Sequence, residues 1–142
     1  MIRIQKEPID TLALTKGVGD ENAGAVILFV GTTRRMTGAR ETIQLEYDCY
    51  EPMAIAELGK LRYEAMERWP LKSCAIVHRV GVVENGQASV AVAISSPHRK
   101  EAFDACQWIM DDLKRRVPIW KREQWADGST GWVHPEQPRQ GN

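Results

Sequence analysis

The sequence predicts an α+β domain with a mostly antiparallel sheet and two long helices. Three observations carry this. Two stretches repeat apolar residues at helical spacing. Several short segments alternate apolar with polar residues. Asn85-Gly86, a hairpin-type turn signal, separates two of those segments.

Element by element, residues 1–5 read as a short strand and 8–16 as a short helix, followed by a loop rich in Gly and acid, GVGDENAG at 17–24. GAVILFVG at 24–31 is a continuous apolar run between glycines, the pattern of a strand buried on both faces. RRMTGARE at 34–41 is polar and contains Gly, which predicts a mobile loop. In IQLEYDCY at 43–50, Ile43, Leu45, Tyr47 and Cys49 alternate with Gln44, Glu46 and Asp48, so a half-buried strand is expected. Pro52 suits the first turn of a helix whose core stripe is Ala54, Leu58, Leu61, Ala65 and Trp69, up to Pro70. SCAIVHRVG at 73–81 and ASVAVAISS at 88–96 are strand-like, with ENGQ at 84–87 as the turn. The second long helix is expected to open with Ser96 as N-cap and Pro97 as first residue. Its stripe is Ala102, Cys106, Ile109 and Leu113, flanked by Phe103 and Met110, and Pro118 ends it. A strand-like piece, IWKREQW at 119–125, leads to a turn at Asp127-Gly128. The expectation is a single domain over 1–133 and a flexible tail over 134–142.

Composition narrows the function classes. The 142 residues carry a net charge of zero, so no general nucleic-acid coat is expected. The longest apolar run, AVILFV, is too short to span a bilayer, and no membrane partner is expected. Cys49, Cys74 and Cys106 are odd in number and widely spaced. They read as buried free thiols, which suits a reducing cytoplasm. No His/Cys/Asp/Glu spacing resembles a metal site, and the sequence has no G-x-G-x-x-G, P-loop or G-x-S-x-G motif. Neither a metal nor a cofactor is expected. His78 falls in an apolar strand pattern and reads as a satisfied structural residue.

Three basic clusters remain. Arg34 and Arg35 follow the apolar run and its closing Gly31, where strand-end loops commonly bind ligands; a solvated pair is the plain alternative. His98 and Arg99 fall at the start of the second helix, where acids are the stabilising choice. Cations there fit docking of a negative ligand, or both face solvent while Glu101 compensates. The third cluster is Lys114, Arg115, Arg116, Lys121 and Arg122. Helix-end cations explain the first three but not the last two, which lie beyond Pro118 with Trp120 and Trp125 on either side. Those tryptophans read either as core packing or as a wall that desolvates a lysine. His98 and Lys114 stand sixteen residues apart on one helix, roughly 24 Å at the helical rise. One small ligand cannot touch both in a single subunit, so a homodimer with composite sites is expected.

The segments GAVILFVGTTR at 24–34, LEYDCYEPMA at 45–54, HRVG at 78–81, SSPHRKEAF at 95–103 and DLKRRVPIWKRE at 112–123 carry a family resemblance. In this order they resemble the catalytic (large) subunit of molybdopterin synthase, the MoaE family. The resemblance implies an α/β hammerhead-type fold and a cytoplasmic sulfurtransferase of molybdenum cofactor biosynthesis. The implied substrate is cyclic pyranopterin monophosphate. The implied sulfur donor is a small ubiquitin-like subunit whose C-terminal Gly-Gly ends in a thiocarboxylate. The implied assembly is a homodimer at the core of a heterotetramer.

Carried over by motif, Lys114 and Lys121 would be the catalytic lysines. Thr32, Thr33 and Arg34 would bind the anionic substrate, with Arg122 and Glu123 alongside the lysines and His98 and Arg99 reaching over from the neighbouring subunit. Cys49 stands where a small residue is expected and reads as packing. Arg139 is a further candidate that no motif supports. Two rival readings of a cationic pocket remain at this stage: another enzyme acting on a phosphorylated small molecule, and a non-catalytic binder of acidic protein tails.

Overall fold

The computed structural model describes residues 1–133. The expected flexible tail, with His134 and Arg139, lies outside the described residues. The two helical periodicities become α2 (Glu51–Arg68) and α3 (Arg99–Arg116). Each presents its apolar stripe to one sheet: Ala54, Leu58, Leu61 and Ala65 from α2, and Ala102, Cys106, Ile109 and Leu113 from α3. That sheet contains β1 (Ile2–Gln5), β5 (Ser73–Arg79), β7 (Ala88–Ser96) and β2 (Ala25–Thr32), hydrogen-bonded in that order. Ile76, Val92 and Ile94 meet the helices on one face. On the other face, Ala75, Val77, Ala91 and Ala93 receive Leu14 and Val18 from the short helix α1 (Thr11–Gly17) and the residue after it.

A second sheet contains β3 (Met36–Thr37), β4 (Arg40–Cys49), β8 (Ile119–Trp125) and β9 (Thr130–Val133), with β6 (Gly81–Val83) paired to β4. All pairings are antiparallel except β1 with β5. The α+β expectation therefore stands, with one parallel pair added.

Several local expectations are corrected. The apolar run at 24–31 is not covered on both faces. It forms the edge strand β2, with Val26, Leu28 and Phe29 exposed. Hydrophobicity alone does not distinguish a central strand from an edge awaiting a cover. Residues 34–41 form a tight β3–β4 hairpin rather than a mobile loop, turning at Gly38 with φ +62°. The 84–87 turn exists, but its flanking strands do not pair with each other. β6 pairs with β4, whereas β7 pairs with β5 and β2. Gly86 adopts φ +85°, and its N–H donates to the Thr33 carbonyl at 2.8 Å, so the turn passes the chain between sheets. Helix α3 starts two residues later than expected. Its N-cap is His98, without a side-chain capping bond, because Ser96 is still the last residue of β7. β9 was not anticipated. It pairs with β8 after the expected Asp127-Gly128 turn.

The C-terminal turn of α3 is bolted to α2. Arg116 donates to Glu64 through Nη1 at 2.6 Å and Nη2 at 3.1 Å, and it also pairs with Glu57 and Asp112. Among the described residues, Arg115 pairs only with Asp112, within its own helix. A half-buried cation with three carboxylates couples two elements, whereas a largely exposed cation paired within its own helix to a carboxylate that Arg116 also holds contributes little. Arg116→Ala is therefore expected to cost about 1–2 kcal/mol and Arg115→Ala under about 0.5 kcal/mol, read from urea denaturation midpoints at constant slope.

Candidate active site

The end of β2 carries the first group of candidates. Thr32 is exposed at the strand terminus, after an irregularity in register between Gly31 and Thr32. Thr33 is buried, and its hydrogen-bonding capacity is already in use. Its hydroxyl donates to the Glu84 carbonyl at 2.6 Å and its N–H to the Gln87 carbonyl at 3.1 Å. Thr33 thus clamps the 84–87 turn onto the strand end. Arg34 follows, exposed at the surface.

Lys114 lies in the last turn of α3, over the outer side of β2. It borders a cavity of about 370 Å³ lined by Ile27, Leu28 and Phe29 of β2 and by Phe103 and Met110 of α3. Its neighbours Arg115 and Arg116 are engaged by carboxylates, whereas Lys114 makes no ion pair among the described residues.

Lys121 and Glu123 lie on β8 with side chains on the same face, as the two-residue period requires. Their Nζ and Oε1 atoms are 3.7 Å apart, and the Glu123 side chain is only 9% exposed. Across the ladder, Lys121 opposes Tyr47 and Glu123 opposes Leu45. Arg122 points the other way. It pairs with Glu46 at 3.1 Å and lies 5.7 Å from the Trp132 ring, so it does not join Lys121 and Glu123. The same alternation puts Trp120 on the face opposite Lys121, and Trp125 is covered by the Arg40 guanidinium at 3.6 Å. Of the two readings of these tryptophans, the wall around Lys121 is the one this arrangement does not support.

The sequence reading passed over the polar groups behind Lys121. Tyr47 stands edge-on to His78, with ring centroids 5.3 Å apart. Burial pushes the Tyr47 phenol up. The neighbouring Ser89 hydroxyl opposes that rise, and the Glu123 carboxylate adds to it. The Ser89 hydroxyl donates to the Gly31 carbonyl at 3.2 Å, which ties this group to the end of β2. The strand alternation did put Tyr47 on the buried face. Its partner on β8 was not legible without the register.

His98 and Arg99 stand apart from all of these. Both are exposed, at the N-terminal end of α3. The register Ala25↔Ser96 places them beside the start of β2, whereas Thr32, Arg34 and Lys114 belong to its far half. The separation of roughly 24 Å along the helix axis therefore holds within one protomer. Among the described residues, no cluster of His, Cys, Asp and Glu is placed to hold a metal, and no helix is long and apolar enough to cross a membrane.

Comparison with known proteins decides the family. The family model described as MoaE protein matches residues 4–116. The chain belongs to the MoaE family. It is 45% identical over 130 residues to the molybdopterin synthase catalytic subunit of Bacillus subtilis, covering 92% of this chain and 82% of that protein. It is 38% identical over 120 residues to the catalytic subunit from Pyrococcus abyssi, covering 84% and 80%. The crystal structure of molybdopterin synthase from Staphylococcus aureus superposes with a TM-score of 0.87 at 39% identity, covering 92% of this chain and 94% of that one. The relatives of this MoaE chain are thus enzymes of molybdenum cofactor biosynthesis.

The buried His78 gives the MoaE fold a pH limit. Its Nδ1–H donates to the Arg79 carbonyl at 2.8 Å, and burial pushes its pKa down to about 4. In the unfolded chain it titrates near 6.5. Between those values the unfolded chain binds a proton that the native state refuses, so stability is intact above pH 6.5 and lost as pH falls toward 4. The loss expected from this group is on the order of 2–3 kcal/mol. Urea denaturation at pH 7.5 and 4.5 checks it: His78→Gln is expected to be less stable than wild type at pH 7.5, with the gap narrowing at pH 4.5. A gap that does not change with pH would remove His78 as the cause.

Proposed function

We propose that this chain is a sulfurtransferase, the catalytic component of molybdopterin synthase. It takes sulfur from the C-terminal Gly-Gly thiocarboxylates of two small ubiquitin-like carriers in turn and delivers both atoms to cyclic pyranopterin monophosphate, building the dithiolene of molybdopterin. The observation that supports it is that Lys114 borders the cavity over β2, and that Lys121 is linked through neighbouring residues to the far half of the same strand. Lys114 arrives from α3 beside Phe29, and Lys121 arrives from β8 by way of Tyr47, Ser89 and Gly31. The substrate phosphate and the thiocarboxylate are both anionic, so this cationic end lowers the cost of bringing them together.

The division of labour follows from the surroundings. Lys114 borders an open cavity and holds the carrier tail and its acyl oxygen. Lys121 has a buried carboxylate partner and acts as proton donor to the oxygen that leaves the pterin side chain. In each transfer the thiocarboxylate sulfur bonds to a side-chain carbon of the pterin as the oxygen on that carbon leaves; water then cleaves the acyl–sulfur bond, and the carrier ends as a carboxylate. Thr32 and Arg34 bind the substrate anion at the strand end. Thr33, Arg122 and Glu123 shape the site through Glu84, Glu46 and Lys121 respectively.

The assembly completes the site. Among the described residues, the outer edge of β2 has no strand beside it, and Val26, Leu28, Phe29 and Phe103 are exposed along it and the adjoining face of α3. A second copy laid antiparallel along this edge covers those side chains. It also brings His98 and Arg99 of the partner subunit to the Thr32, Arg34 and Lys114 end, a reach that the roughly 24 Å helix length denies to a single chain.

The direct test mixes the chain with the cyclic pterin and a thiocarboxylated ubiquitin-like carrier and measures dithiolene product. Tight carrier binding without product would favour the reading as a binder of acidic tails. Lys114→Ala and Lys121→Ala are each expected to lower turnover by about 100-fold or more. Near-normal turnover in either removes that lysine from the chemistry. Mixed dimers of His98→Ala and Lys114→Ala chains are expected to regain part of the activity that neither variant has alone, because one of the two sites is then intact. Verified mixed dimers with no recovery would refute a shared site.

A further inference from the structure

Only Pro97 and His98 join the end of β7 to the start of α3. The link is extended: His98 sits at φ −127°, ψ 148°, and no side chain caps the helix. Pro97 brings no N–H of its own to anchor it. The direction in which His98 and Arg99 leave the backbone is therefore set by whatever else holds the link. Both side chains are exposed, and among the described residues neither has a hydrogen-bond or ion-pair partner, whereas the next residue, Lys100, pairs with Asp104.

Two restraints hold the link. Ser96 is fully buried, and its pairing with Ala25 fixes it in the sheet. Its hydroxyl donates to the His98 carbonyl, tying the link to the last residue of β7. Gly24 supplies the second restraint. A Cβ at that position would stand 2.5 Å from the Pro97 carbonyl oxygen, so the backbone before β2 lies directly against the link. Glycine is the residue that permits so close an approach. A buried serine and a bare glycine thus fix the origin of two exposed side chains that their own chain leaves unpaired.

We propose that Ser96 is a positioning residue for the shared site, acting through the His98 carbonyl on the aim of His98 and Arg99. It touches neither substrate nor carrier. It serves the site of the other subunit, the one that receives this chain's His98 and Arg99. The site built on its own subunit's Lys114 does not depend on it. Gly24 acts on the same turn from the neighbouring strand. The inference rests on the composite site proposed above and adds the residue that sets its cross-subunit half.

Ser96→Ala deletes the hydroxyl and keeps the strand. In the complete synthase, kcat/KM for the cyclic pterin is expected to fall about tenfold. The subunit that it harms is read from mixed dimers, in which each site takes Lys114 from one chain and His98 from the other. Ser96→Ala paired with Lys114→Ala leaves one site intact and is expected to regain roughly half of wild-type activity. Ser96→Ala paired with His98→Ala leaves no site intact and is expected to stay at or below the Ser96→Ala homodimer. A serine acting on its own subunit's site would give the reverse pattern, and one that only supported the fold would give recovery with neither. Each of these overturns the inference, as does normal turnover in Ser96→Ala. Gly24→Ala is expected to show the same pairings as Ser96→Ala, and it decides in its place if Ser96→Ala does not fold. Failure of both to fold makes the turn a fold determinant and overturns the inference. His98→Ala paired with Lys114→Ala separates this inference from the reading beneath it. No recovery there refutes the shared site itself. Recovery there, without recovery in the Ser96→Ala and Lys114→Ala pair, refutes only the part played by Ser96.

Discussion

The apolar seam between the two long helices and the first sheet is the constraint from which the rest of the structure follows. Leu58, Leu61 and Ile109 are fully buried against Ile76, Val92 and Ile94. Side chains of this kind each contribute about 1.5–3 kcal/mol on burial, so the seam resists sliding of α3 along β2 and β7. Its geometry sets distances at the surface. One end of α3 is held beside the start of β2, and the other holds Lys114 over the far half of the same strand. The chain therefore presents two cationic ends that cannot approach each other by local motion.

The second sheet shares no strand with the first. The chain crosses between them beside Tyr47 and Thr33. One crossing is at Gly81, where a left-handed backbone turns β5 into β6, and the return is through the 84–87 turn clamped by Thr33. A junction of two sheets offers side chains from both without needing a long loop. Lys121, from one sheet, is thus linked to Gly31, from the other, through Tyr47 and Ser89.

Much of this was legible in the sequence because local patterns have local causes. The 3.6-residue spacing of Leu58, Leu61 and Ala65, the alternation around Tyr47, and Pro118 after α3 each report a backbone conformation directly. What failed depended on partners distant in sequence. The 24–31 run looked central because its hydrophobicity does not report that Val26, Leu28 and Phe29 stand exposed at a sheet edge. Asn85-Gly86 makes its turn, but which strands flank a turn is decided by the sheets they join. The family motifs selected Lys114, Lys121 and Glu123, yet sequence adjacency could not show that Arg122 points away or that Thr33 spends its hydroxyl on Glu84. Ser89 had no signal at all, since its role exists only through Gly31.

The open edge of β2 has a bearing on handling as well as on assembly. An exposed, apolar strand edge pairs with whatever extended backbone is nearest, and cells ordinarily protect such edges with charge, proline or a cover. β2 has neither charge nor proline in its span, Ala25–Thr32. In the dimer proposed above, its protection comes from association. Solubility and assembly are then one property: a substitution that weakens self-association would show first as aggregation during production, and be mistaken for misfolding, before any catalytic defect was measured.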